Sequence, residues 1–204
     1  IKNKIKTENL AENLFLLGIF LLASAMSIGI ILILISSIIY ISNSKENLLK
    51  DKWAIFLILI SVFMLISSIY QTYNQANKDL IEWDISLTWI GLLNWIPFFY
   101  LFISTKNFVA TSTQRYKVGI SLLSGSIPVL ITGFGQYFLN WHGPIKFLNG
   151  LITWYLKPIE PHLGLSGLFS NQNYAGTWMA LIWPFSLGLF FINKENINKR
   201  LTSL

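Results

Sequence analysis

The sequence predicts an all-α, polytopic helical membrane protein. It would have about four full transmembrane helices plus an N-terminal re-entrant helical hairpin, or five to six transmembrane helices if the hairpin crosses. Three observations carry this. Of the 204 residues, 53% are hydrophobic and only 12% are charged, about half the charged share of an ordinary soluble domain. Mean hydropathy is +0.56. The few charges cluster between long runs that are apolar all round, whereas the strands of a membrane barrel would alternate polar and apolar over roughly ten positions.

The elements follow from the charge-free windows: Asn13–Ser44, Trp53–Asn77, Ile85–Thr105, Val118–Ile145 and Pro161–Asn193, with apolar cores at 14–42, 53–70, 86–103, 118–138 and 175–192. A helix needs about 20 residues to cross. The first core would make a helix of about 43 Å, too long for a hydrocarbon layer of about 30 Å unless strongly tilted. Its middle holds "ASAMSIG", small residues where a helix can break. Loop charges decide between the arrangements. With one crossing, nine of the fifteen Lys and Arg fall on one side and six on the other; with 13–42 as a hairpin the split is twelve against three. The positive-inside rule favours the hairpin, a cytoplasmic N-terminus, and half-helices meeting near Ser24–Ser27. Unpaired backbone at that tip must be buried in protein or wet. A secretory signal ending at Ala23-Ser24-Ala25 is the rival, but Glu8 and Glu12 directly precede the apolar run and the run continues well past it.

With this topology the segment 139–173 is an outward loop, and "PIKFLNGLITWYLKP" within it reads as a short interfacial helix. Trp53, Trp83, Trp141 and Trp154 sit at predicted boundaries, as interfacial anchors. The chain forms a single helical membrane domain, 1–204, without internal repeats. A net charge of +6 raises nucleic-acid binding, but the cations are spread over every loop and form no stripe, so no nucleic-acid partner is expected and the lipid bilayer is. There is no cysteine, which excludes disulfides and thiol chemistry. No cofactor is expected. Oligomeric state is not legible.

Few residues can do chemistry. Asn94 and Gln136 are the amides within the spans, and each reads as an interhelical hydrogen bond. Pro97, Pro128 and Pro184 are expected to kink their helices. The outward loop gathers His142, Lys146, Lys157, Glu160, His162, Asn171, Gln172 and Asn173. Two histidines about 20 residues apart make a poor metal pattern, so no metal is expected. Either His142 or His162 is a weak candidate for a general base. Lys146 and Lys157 read as lipid-headgroup contacts or as a cationic clamp for a diphosphate. In "GLSGLFSNQNYAGTW", Gly164 and Gly167 permit tight turns, and Asn173 is placed to cap a helix beginning near Tyr174. The free N–H groups of such a helix start, with amide side chains beside them, suit phosphate or sugar oxygens.

The stretch "GLFSNQNYAGTWMALIWPFSL" resembles the motif GxFxNxNxxA/G, followed by a proline-bearing apolar helix, of the O-antigen ligase / O-antigen polymerase superfamily of bacterial inner-membrane proteins. The upstream "GQYFLNWHGPIKFLNGLITWYLKPIE" looks like the preceding loop of its cyanobacterial-like branch. The resemblance covers about residues 133–192, and elsewhere hydropathy alone. It implies a multi-span glycosyltransferase of lipopolysaccharide biosynthesis. Such an enzyme moves glycan from an undecaprenyl-diphosphate carrier to an acceptor hydroxyl at the periplasmic face, without metal or nucleotide sugar. Gly167, Phe169, Asn171 and Asn173 match the motif, and Gly167, Asn171 and Asn173 with Lys157 are the expected substrate-binding residues. Many members carry an arginine shortly before the first glycine; here residues 162–166 contain none, and Lys157 lacks the forked geometry of arginine. Members typically have ten or more spans and a large periplasmic loop further on. The chain opens with Ile1 and stops at Leu204, so the expectation is a front half that is inactive alone. Ligase and polymerase are not separable here, nor are sugar and acceptor. The alternatives are a transporter module, since relatives have been labelled bicarbonate transporters and broken helices serve transporters, or a non-catalytic membrane subunit. The predicted spans contain none of the ionisable residues a transport pathway uses.

Overall fold

The computed structural model describes residues 2–43, 51–75, 84–159 and 164–202. The architecture is helical, with α1 (Lys2–Leu21), α2 (Met26–Asn43), α3 (Lys52–Gln75), α4 (Ile85–Thr105), α5 (Ser112–Gly125), α6 (Ile127–Leu139) and α7 (Gln172–Thr202). A two-stranded hairpin, β1 (Ile145–Phe147) and β2 (Ile152–Trp154), lies between α6 and α7. Four stretches are long and apolar enough to cross a membrane: Lys52–Asn74, Ser86–Phe108, Ser112–Leu139 and Gln172–Ile192. The protein is a multi-pass helical membrane protein.

The first apolar core is a hairpin of two antiparallel helices that turn at 22–25. The turn falls slightly before the expected break because Gly29 serves a different purpose: it lies within α2, not at the bend. A Cβ on Gly29 would come within 2.8 Å of the Gly18 carbonyl, and one on Gly18 within 2.8 Å of the Gly29 carbonyl. The two glycines therefore let the backbones cross at close range. Further along, Ser36 Oγ donates to the Ala11 carbonyl at 2.6 Å. At about 1.5 Å per residue α2 is about 27 Å long, close to the thickness of the hydrocarbon. In either case both ends of the hairpin emerge on the same side.

α1, α2, α5 and α7 enclose the core. Ala11, Phe15, Ile33, Phe108, Val118, Leu122 and Ile182 are buried together, and Phe15 stacks on Phe108 with ring centroids 4.3 Å apart. α3 and α4 pack on each other and touch the rest chiefly through α2. Ser104 Oγ donates to Ser37 Oγ at 2.9 Å across that contact. Two ion pairs gather at one end of the bundle. Lys117 meets Glu12 at 2.6 Å, and Lys106 pairs with Asp51. Lys106 and the Trp53 N–H hold the Asp51 carboxyl below its ordinary pKa. At the start of α4, Asp84 caps the helix by accepting from Ser86 N–H, and hydrogen bonds from the Ser86 hydroxyl and N–H lower its pKa likewise.

The third crossing, Ser112–Leu139, begins earlier than its apolar core. Thr111 and Gln114 form a capping box that starts α5 within the basic loop, and Arg115 turns back to donate to the Val109 and Ala110 carbonyls. The chain bends at Ser126 between α5 and α6, two residues before Pro128, which sits in the first turn of α6 where its missing N–H is least costly.

The expected interfacial helix is absent. In its place Ile145, Lys146 and Phe147 pair antiparallel with Trp154, Thr153 and Ile152. Asn149 and Gly150, with φ of 54° and 91°, make the reversal between the strands. An Asn-Gly pair flanked by β-branched and aromatic residues favours a hairpin over a helix.

Candidate functional site

At the end of the bundle away from the ion pairs, three segments converge: the α1–α2 turn, the β-hairpin, and the segment 164–171 leading into α7. Trp154 joins the first two. Its Nε1–H donates to the Ser24 carbonyl at 2.7 Å, satisfying backbone that the hairpin turn would otherwise leave unpaired. Trp154 thus lies against protein and is not a free interfacial anchor; Trp53, by contrast, is 70% exposed. Trp83 lies outside the described residues.

The third segment is held by Gln136 on α6. This side chain is fully buried. Its Nε2 donates to the Lys157 carbonyl at 2.8 Å and to Ser166 Oγ at 3.1 Å, and its Oε1 accepts from the Gly167 N–H at 2.6 Å. Ser166 Oγ also accepts from the Lys157 N–H at 3.0 Å. Gln136 therefore bonds helix to loop, where the sequence suggested helix to helix. Gly167, at φ +56°, takes the left-handed conformation that lets the chain turn beneath α7. It is buried against Val129 and Thr132 with its N–H already engaged.

The helix cap differs from expectation by two residues. Asn171 Oδ1 accepts from the Asn173 N–H at 2.7 Å, and the Asn171 carbonyl accepts from Ala175 N–H. Asn171 is thus the cap, and α7 starts at Gln172. The side chain of Asn173 is exposed.

These segments enclose a cavity of about 630 Å³. Ser24 and Ser27 line it from the turn, Thr153 and Trp154 from the hairpin, and Phe169, Tyr174 and Trp178 from the segment entering α7. Five aromatic and five Ser/Thr residues share the lining with Leu, Ile, Met and Ala side chains, and among the described lining residues there is no acid, lysine, arginine or histidine. Such a lining suits an uncharged, largely apolar group. It offers no carboxylate or imidazole as a base.

The residues singled out from sequence fall around this cavity, not within it. Ser170 lines it and Asn171 follows directly, so the amides sit at its rim. Lys157 is exposed and enters the site only through its backbone. His142 is exposed, its Nδ1–H donating to the Asn140 carbonyl at 2.9 Å. His162 and Glu160 lie outside the described residues. No group of three or more metal-ligating side chains occurs among the described residues. Thr153 and Trp178 were not singled out from sequence, and Ser24, Ser27, Trp154 and Tyr174 were read only as a hairpin tip, an interfacial anchor and a helix start. The Asn149-Gly150 pair was the signal that would have brought Trp154 back against the hairpin tip.

A second cleft, of about 570 Å³, lies between α5 and α7 and is lined by Arg115, Tyr116, Gly119, Pro184 and Leu189. It belongs to the half of the bundle that holds the ion pairs. No family model, curated protein or solved structure matches the chain.

Proposed function

We propose that the protein is a membrane glycosyltransferase of the O-antigen ligase-like kind, resident in a bacterial inner membrane. In this reading it works on glycan carried by undecaprenyl diphosphate at the periplasmic face. The observation that carries the proposal is the placement of the GLFSNQN turn. Its Gly167 is anchored by Gln136 and its Asn171 caps α7. The turn stands at the rim of a cavity lined with aromatics and hydroxyls, at the end opposite the Lys106–Asp51 and Lys117–Glu12 pairs.

The chemistry divides between cavity and rim. A sugar ring stacks on the aromatic walls while Ser and Thr hydroxyls bond its oxygens. Phosphate oxygens meet the first-turn N–H groups of α7 and the Asn171 and Asn173 amides. The acceptor hydroxyl gives its proton to a base, the new glycosidic bond forms at the anomeric carbon, and the bond to the carrier diphosphate breaks with the electron pair leaving on phosphate. In this reading the exposed His142 takes that proton and the exposed side chain of Lys157 meets the leaving charge.

The test uses the absence of cysteine. Ser170→Cys in the otherwise unchanged chain is expected to react with an impermeant thiol reagent applied to intact cells. A photoreactive undecaprenyl-diphosphate glycan is then expected to cross-link beside Tyr174, with less product after Trp154→Ala. Labelling of residue 170 only after the cytoplasm is opened, or cross-linking indifferent to unlabelled lipid-linked glycan, ends this reading.

A further inference from the structure

The cleft between α5 and α7 takes no part in the candidate site, and it opens where the ties between the two helices stop. α7 runs antiparallel to α5. Trp178 Nε1–H donates to Ser126 Oγ at 3.0 Å, and Ile182 is buried with Val118 and Leu122. Past Ile182, towards Ile192, no hydrogen bond joins α7 to α5 among the described residues, and Ser186 spends its hydroxyl on the Trp183 carbonyl. The cleft wall there is apolar, with Gly119 from α5 and Pro184, Gly188 and Leu189 from α7. A Cβ on Gly119 would stand 3.6 Å from Leu189, whereas one on Gly188 would have nothing within 4 Å.

The mouth of the cleft carries a charge that the described chain does not balance. At this end of the bundle Lys117 has Glu12 and Lys106 has Asp51. Arg115, which lines the cleft with Ser112 and Tyr116, pairs with no acid among the described residues. Its Nη1 donates to the Val109 and Ala110 carbonyls at 3.0 and 2.8 Å, and its Nη2 to Ser112 Oγ at 3.1 Å. All three acceptors are neutral, so they fix the guanidinium without cancelling its charge, and they leave its Nε–H unused. Ser112 Oγ accepts in that bond and keeps its own hydrogen to donate, and the Tyr116 hydroxyl makes no bond to a described residue. We infer that the cleft binds an anionic phospholipid, with its phosphate on Arg115, Ser112 and Tyr116 and one acyl chain laid between Gly119 and Gly188. Depth and charge select this occupant. Ser112 opens one crossing and Ile192 closes another, so Arg115 lies about 4.5 Å inside the boundary and the wall beyond it lies in hydrocarbon. A ligand must bring negative charge at headgroup depth and an apolar chain beneath it, and a free anion lacks the second part. A zwitterionic headgroup would bring its own ammonium against the guanidinium, whereas basic pockets between membrane helices suit acidic lipids. This inference is independent of the glycosyltransferase reading.

The probe is phosphatidylglycerol with a photoreactive diazirine in one acyl chain, mixed into phosphatidylcholine vesicles that hold the full chain. Cross-links are expected to concentrate on residues 116–119 of α5 and 184–192 of α7. The same photoreactive chain on phosphatidylcholine is expected to label these residues no more than the outer side of α3. Arg115→Gln should lower the phosphatidylglycerol labelling about fivefold, the weight of one basic residue beside acidic lipid. Gly188→Phe fills the apolar wall, leaves the charge untouched and should lower the labelling by a similar factor. Circular dichroism checks that each variant folds. Gly188 is exposed in α7, so Gly188→Phe decides the matter if Arg115→Gln loosens the 109–110 loop. The inference is overturned if phosphatidylglycerol labels α3 as densely as the cleft, if phosphatidylcholine labels the cleft equally, or if a folded variant labels like the parent. Cross-linking of the cleft to another protein or to a second copy of the chain, in place of lipid, overturns it as well.

Discussion

Gln136 and Asn94 are the same chemical group in two regions of one bundle, and their fates are opposite. Gln136, near the end of α6, is fully buried and bonded to Lys157, Ser166 and Gly167. Asn94, near the middle of α4, stands exposed with no partner among the described residues. Where the polar group meets its own chain it organises a loop. Where it stands on the outer side of a helix it makes no bond within the described chain. Residue type announces that a hydrogen bond is needed; the burial of its helix decides who supplies it. α3 and α4 have only 11% and 6% of their apolar windows buried, against 44% for the α5–α6 crossing, so the lone amide falls on the lipid-facing side.

The largest effect expected from this contrast is at Gln136. Gln136→Leu leaves the Gly167 N–H and the Lys157 carbonyl without partners and costs about 3 kcal/mol. It should appear as a lowered thermal midpoint in detergent and as easier proteolysis between 157 and 171. Asn94→Leu, measured the same way, should shift stability by less than about 0.5 kcal/mol. Equal losses from the two variants would erase the distinction between them. Next in size is Gly167→Ala, which forces a side chain onto a φ of +56° at a cost of about 1–2 kcal/mol. Its new Cβ would stand 3.4 Å from the Val129 carbonyl, so the strain should loosen the same loop that Gln136 holds. A thermal midpoint equal to wild type would show that Gln136 alone sets the turn.

The smallest effect is electrostatic and belongs to the other end of the bundle. Asp51 has its pKa lowered by Lys106 and by the Trp53 N–H. A depressed carboxyl contributes stability that is fully present above its ordinary value of 3.8 and is lost as pH falls through the lower folded value. Unfolding midpoints followed from pH 6 down to pH 2 should therefore decline below about pH 4. Asp51→Asn should flatten part of that decline by lowering the neutral-pH midpoint by the same small amount. An identical acid limb in the variant would show that the pair carries no coupling.

Much of this fold is legible in the sequence because hydrocarbon punishes charge so heavily. The charge-free windows located the four crossings, and the distribution of fifteen cations pointed to a hairpin in the first core. Local chemistry is what charge counting passes over. Gly29 looked like a break and is a crossing contact, a distinction that depends on Gly18 lying opposite it. The apolar run between Pro144 and Pro158 suggested a helix until the conformational demand of Asn149-Gly150 is weighed. At the candidate site the amide turn could be read, though the cap is Asn171 and not Asn173, since either asparagine suits the position. The cavity walls could not be read: Ser24, Thr153 and Tyr174 are brought together by tertiary contact that no local pattern encodes.

The bond between the Trp154 indole and the Ser24 carbonyl spans 130 residues of chain. The carbonyl belongs to the first part of the described chain to be synthesised and the indole to one of the last. During biosynthesis the bend of the opening helix pair must therefore wait, its backbone oxygen unclaimed, while three more crossings are threaded. Insertion halted anywhere before the β-hairpin is made leaves that bend to water or to a chaperone, and the loop that carries Trp154 acts as the latch that ends the wait.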